Sequence, residues 1–213
     1  MSELEKSMKE LIDLLKSQAK QKNYNDRLMI FTDAEYVIQS LRNLNNNNQK
    51  RVGLNKINWN NIFQWITGSK RLIRVYYYSC ALDKDANLKT HNEQKEYLNN
   101  LKESIPNLEI KLGRLEKIGN SWVQKGVDVM LAVDMVSKAS KNHYDIAALI
   151  TGDSDFADLI SVVKNEYGKQ VQVFSFDRSD CKVYDNLKFA PDQHYLITAE
   201  IGKKFNFWNI KKR

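Results

Sequence analysis

Two cysteines, two prolines and eight glycines in 213 residues remove several kinds of protein from consideration. Cys80 and Cys181 are too few for a disulfide framework or a cysteine-rich zinc site. They point to a reducing compartment, so the cytoplasm is the expected location. The shortage of proline and glycine makes a chain poor in loops, and neither of the familiar glycine-rich phosphate loops occurs. No apolar run approaches the roughly 20 residues of a membrane span, and the first residues lack the cationic then apolar build of a signal peptide. His91, His143 and His194 have no metal-ligand spacing and are expected at the surface. No Ser or Cys stands in a nucleophile setting, which leaves covalent acyl chemistry without support.

What is present suits one globular domain with short appendages: 42% of the residues are hydrophobic and 28% charged. Lys plus Arg exceed Asp plus Glu by 33 − 26 = 7, a balance that favours polyanionic partners. Leu4, Met8, Leu11, Ile12, Leu15 and Ala19 recur at helical spacing, so residues 1–25 read as an amphipathic appendage. Packing on the body, or on a second copy in a homo-oligomer, accounts for such a helix better than a membrane surface, because its polar side also carries acids.

The body, 26–197, alternates short apolar runs with helical patterns. Leu28 to Phe31, Leu72 to Tyr78, Leu108 to Leu115, Ile146 to Ile150 and Val171 to Phe176 read as strands. Ala34 to Arg42, the segment around Trp59 to Ile66, a stretch ending at Ser104, Val127 to Ala139 and Asp153 to Tyr167 read as helices. This order predicts a three-layer α/β/α sandwich around a mainly parallel, Rossmann-like sheet. In such sheets ligands bind beyond the carboxyl ends of the strands.

Acids gather at those ends. Asp33 closes the first strand, Asp153 and Asp155 follow the strand at 146–150, and Asp128 opens the helix that leads into it. Carboxylates crowded together repel one another, and a site that keeps them close commonly holds a hard cation such as Mg²⁺ or Mn²⁺. The competing reading makes Asp128, Asp153 and Ser154 helix N-caps. Asp134 is interior to an apolar helical run and needs either a partner or a place in the site.

Three strings, Ile30 to Glu35, Gln124 to Met135 and Ile150 to Phe156, together resemble the NYN domain family. The nearest group is similar to its LabA-like branch within the PIN-like nuclease superfamily. The resemblance implies a PIN-like sandwich whose acidic pocket binds Mg²⁺ or Mn²⁺ and cuts RNA. It assigns Asp33, Asp128, Asp153 and Asp155 to the pocket, with Asp134 a fifth candidate metal ligand and Lys125 a lysine beside it. The chain departs from the family's Asp-Gly-x-Asn motif, reading Asp33-Ala34-Glu35-Tyr36, which replaces an amide by a phenol.

The resulting expectation is a metal-dependent endoribonuclease. The alternative is a catalytically weak or inactive RNA-binding module on the same fold. An acidic pocket repels a polyanion, so the positive excess belongs on its rim. In the 198–213 tail, Lys203, Lys204, Lys211, Lys212 and Arg213 interleave with Phe205, Phe207 and Trp208, a pattern suited to single-stranded nucleic acid. The competing reading docks those rings on the core.

Overall fold

The computed structural model describes residues 6–10, 12–13, 26–44, 54–82, 87–118, 121–178 and 183–209. Its centre is a seven-stranded sheet: β1 (Arg27–Asp33), β2 (Arg71–Cys80), β3 (Leu108–Ile118), β4 (Ser121–Lys125), β5 (Ile146–Ile150), β6 (Gln170–Phe176) and β7 (Gln193–Ile197). The spatial order is β4-β3-β2-β1-β5-β6-β7, parallel throughout except for the antiparallel edge pair β3/β4. Strands β1 and β5 form the middle and are buried on both faces, which is why each reads as an unbroken apolar run rather than an alternation.

Helices α1 (Ala34–Leu44), α2 (Trp59–Thr67) and α3 (Leu88–Ser104) belong to one face of the sheet. Helices α4 (Val127–Ser140), α5 (Ala157–Asn165) and α6 (Asp185–Phe189) cover the other, and α7 (Ala199–Lys204) returns to the first. Strand alternation sorts the side chains. Ile30, Tyr77, Ile150 and Phe174 enter the α1–α3 core, whereas Phe31, Tyr78, Leu149 and Val173 enter the α4–α6 core. None of the described helices is long and apolar enough to cross a membrane.

The three-layer, mainly parallel sandwich is therefore as expected, with several local corrections. Strand β4 interrupts the parallel pattern: β3 turns back on itself before α4, and Gly126, at φ 84°, makes the turn into that helix. Gly113 is required opposite it, because a Cβ there would stand 2.7 Å from the Lys125 carbonyl oxygen. The helix expected from Asp153 begins as a 3-10 turn over Ser154–Phe156, with α5 starting only at Ala157. Strand β7 and the short α6 and α7 carry too little periodicity to stand out in sequence.

Residues 198–209 pack onto the body. Phe207 is fully buried, Trp208 is 5% exposed, and Asn58 donates its amide to the Phe207 carbonyl at 2.8 Å. The Trp208 ring lies so close over Gly202 that a Cβ there would overlap it. Residues 6–10 and 12–13 are helical and exposed. The remainder of that appendage, Cys181, and Lys211, Lys212 and Arg213 lie outside the described residues.

Candidate acidic site at the switch point of the sheet

Chain connections run outward from β1 through β2 to β3 on one side, and from β5 through β6 to β7 on the other. The order reverses between β1 and β5, and the crevice beyond their carboxyl ends is where such sheets bind ligands. Asp33 is the last residue of β1, and Thr151 to Asp155 leave the end of β5.

Asp33 follows five buried residues and is itself half-buried. Its Oδ1 accepts the Tyr36 amide at 3.1 Å, capping the first turn of α1. Burial pushes its carboxyl from 3.8 up to about 6, against that amide bond, and the charges of Asp128, Glu35 and Asp153 add to the rise. Asp128, in the first turn of α4, is also raised, by burial and then by Asp153 and Asp155. This happens although a helix N-terminus favours a carboxylate. Four carboxylates from β1, α4 and the turn after β5 thus act on one another across the edge.

The turn after β5 is tightly built. Asp153 donates its amide to Thr151 Oγ1 at 3.1 Å, and its own Oδ1 accepts the Asp155 amide at 2.9 Å. Ser175 on β6 donates to the Thr151 carbonyl at 2.8 Å. Tyr36 crosses over this turn: a Cβ on Gly152 would stand 2.3 Å from its ring, so only glycine admits it. The Tyr36 hydroxyl accepts the Phe176 amide at 2.8 Å, tying α1 to the end of β6. The phenol that replaces the family amide is thus a strut between elements. The cap expected of Asp153 is real, but it caps a 3-10 turn. Gly126, not Asp128, occupies the N-cap of α4.

Asp134 is engaged elsewhere. It accepts from the Tyr78 hydroxyl at 2.9 Å and from Lys138, with Lys111 at 3.9 Å, in a partly buried cluster under α4. This meets the need of a carboxylate in an apolar run for a partner, and draws Asp134 out of the acidic group. Lys125 is exposed at the end of β4, three residues before Asp128. Lys203 and Lys204 are exposed in the last turn of α7, with Lys204 over the Phe205 ring at 5.5 Å. Trp208 departs from expectation: its ring is given to the core and has no face left for a base. Of the histidines, His143 is exposed, whereas His194 is half-buried and its pKa lowered by burial and Lys188.

A hydrated Mg²⁺ or Mn²⁺ is the ion such donors suit, since Mg²⁺ keeps several waters and takes only one or two carboxylates from the protein. Among the described residues no three His, Cys, Asp or Glu side chains stand close enough to enclose a metal. Among the described residues the acids at this edge therefore do not form a closed metal cage.

The NYN domain model matches residues 27–198. The chain belongs to the NYN domain family. That family is nuclease-like and PIN-like, in agreement with the sheet order and the acids at its switch point. Among solved structures, a protein of unknown function from Vibrio parahaemolyticus RIMD 2210633 superposes with a TM-score of 0.56 at 17% identity. The match covers 82% of this chain and 94% of that one, and shows a shared fold. Among curated proteins, the phenylalanine–tRNA ligase beta subunit of Buchnera aphidicola subsp. Schizaphis graminum is 35% identical over 78 residues. That stretch is 36% of this chain, which spans only 8% of the ligase subunit.

Proposed function

We propose that this NYN protein hydrolyses phosphodiester bonds of single-stranded RNA with a divalent cation, Mg²⁺ or Mn²⁺, held at the acidic edge. The observation that carries the reading is the desolvated Asp33 carboxyl at the switch point, raised in pKa by burial and by the charges of Asp128 and Asp153. Asp33 would hold the ion together with Asp128 or Asp153, the remaining carboxylates reaching it through its bound waters. When bound, it would make a coordinated water more acidic and neutralise charge on the phosphate. Asp155, its amide fixed by Asp153, would hold the ion or orient the attacking water. Lys125 contacts a phosphate oxygen from the exposed end of β4. Lys203 and Lys204, exposed in the last turn of α7 on a segment anchored by Trp208, would grip the RNA backbone, and Lys211, Lys212 and Arg213, which lie outside the described residues, extend the same basic strip in sequence.

The LabA-like branch, a reducing cytoplasmic location and self-association through the exposed Met8 and Ile12 of the N-terminal helix belong to the same proposal. The test is cleavage of a single-stranded RNA in Mn²⁺ and in EDTA. Asp33→Asn and Asp128→Asn are each expected to abolish metal-dependent cutting while leaving the fold intact. Undiminished activity in both would refute the site. A second reading, RNA binding without cleavage, is favoured by Tyr36 standing where the family has an amide. Salt-sensitive RNA binding with no cutting in either metal would select it.

A further inference from the structure

On the α1–α3 side of the same edge, a cleft of about 790 Å³ lies between α1, the ends of β2 and β3, and α3. Its volume is within the range of roughly 300–1,000 Å³ typical of ligand pockets. Tyr77, Tyr97, Ile38 and Leu98 form an apolar and aromatic wall. Tyr97 accepts the Trp59 indole N–H at 2.6 Å and is also hydrogen-bonded to Tyr77, which fixes its ring. Glu35, Glu93 and Glu96 line the polar side, with Arg42 as a single cation among the lining residues.

The cleft joins the acidic edge through Glu35, which lines it and also raises the Asp33 carboxyl. In register, Asp33 stands opposite Tyr78, and the flanking Tyr77 and Ser79 turn to the other face of the sheet and line the cleft, so the cleft and the acidic edge meet at the rim of the sheet. A single strand laid across that rim with a phosphate near Asp33 would turn a neighbouring base toward the cleft.

We propose that this cleft is a nucleobase subsite that receives an unpaired, amino-bearing base, such as adenine or cytosine, of the single-stranded RNA. The inference rests on the nucleic-acid reading of the acidic edge. The three carboxylates, opposed by Arg42 and by Lys89 at 4.0 Å from Glu93, leave a net negative lining that disfavours a phosphate but accepts hydrogen bonds from an exocyclic amino group, as carboxylates do from cytosine N4. Tyr97, the half-buried ring of the wall, supplies the face on which a flat base stacks. Uracil offers carbonyl oxygens in place of the amino group and meets the same carboxylates as a repelling partner.

Free nucleosides test this without metal, phosphate or cleavage. Adenosine and cytidine, titrated into the full chain and followed by NMR, are expected to shift cleft residues such as Tyr77, Leu98 and Thr90 in a saturable way. Uridine is expected to bind about tenfold more weakly, the worth of one hydrogen bond to a charged group. Glu96→Gln should narrow that preference, and Asn100→Trp, at an exposed position on the cleft lip, should block all three nucleosides. Equal binding of uridine, no cleft shifts with any nucleoside, or indifference to both substitutions would each overturn the subsite. The two readings fail separately. Nucleoside binding in a protein that never cuts RNA would retire the nuclease and keep the subsite, whereas base-indifferent cutting without nucleoside binding would do the reverse.

Discussion

Strands β1 and β5 carry an aspartate environment at each end, and the two ends treat a carboxylate in opposite ways. At the amino edge, Asp145, just before β5, is gripped by Arg27 at the start of β1. Arg27 Nε donates to Asp145 Oδ2 at 3.0 Å, Nη2 to Oδ1 at 2.9 Å, and the Arg27 amide to Oδ2 at 2.9 Å. That hydrogen-bonded guanidinium holds the Asp145 carboxyl below its usual range. At the carboxyl edge of the same two strands, Asp33 is sheltered among other acids and is pushed up to about 6. A fold that can neutralise an aspartate so completely at one end leaves the other end charged and strained. Such an asymmetry is the reason the carboxyl edge, and not the amino edge, is proposed as the functional one.

The largest effect should come from removing the strained charge. In metal-free buffer at pH 7.5, Asp33→Asn is expected to stabilise the fold by up to about 3 kcal/mol, the equivalent of raising a carboxyl from 3.8 to about 6. The amide of Tyr36 keeps an acceptor in the asparagine. Because the folded state holds more protons than the unfolded between those values, wild-type stability should fall as pH rises from about 4 to 6, and the substitution should remove that slope. Denaturant melts across this window check it. A substitution that destabilises at neutral pH would mean that Asp33 is a structural acid like Asp145.

Tyr36→Phe should be next. It strands the Phe176 amide, which the phenol satisfies at 2.8 Å, at a cost of about 1–3 kcal/mol. The loss should be the same at pH 5 and pH 8, because no carboxylate titration is involved. A chemical melt of this variant separates strut from site: if it also ceases to respond to Mn²⁺, the phenol belongs to the ion's surroundings.

Asp145→Asn is expected to cost least, about 1 kcal/mol, because its side chain is 39% exposed and water screens the pair. Its contribution has the opposite pH sign. It is present above the unfolded carboxylate value and lost as pH falls through the lower, folded one, so the variant and wild type should converge in acid. Parallel melts that never converge would show that the geometric bonds of Arg27, and not its charge, carry the stability.

Residue pattern alone determined the apolar strands at β1, β2, β5 and β6 and the acids that end β1 and follow β5. These signals are local: a buried parallel strand must be apolar along its whole length, and an acid is placed by the strand it terminates. Tertiary structure alone decided three other matters. Asp134 lies in the same string of residues as Asp128, yet Tyr78 and Lys138, 56 and 4 residues away, claim it for a partly buried cluster. Trp208 sits in a sequence of cations and rings that suits a nucleic-acid strip, and only its packing over Gly202 shows that its face is used. Tyr36 departs from a motif on paper and proves to bridge α1 and β6. Spacing along a chain fixes which face and which edge a side chain reaches, whereas its partner is chosen by whatever distant segment the fold brings against it.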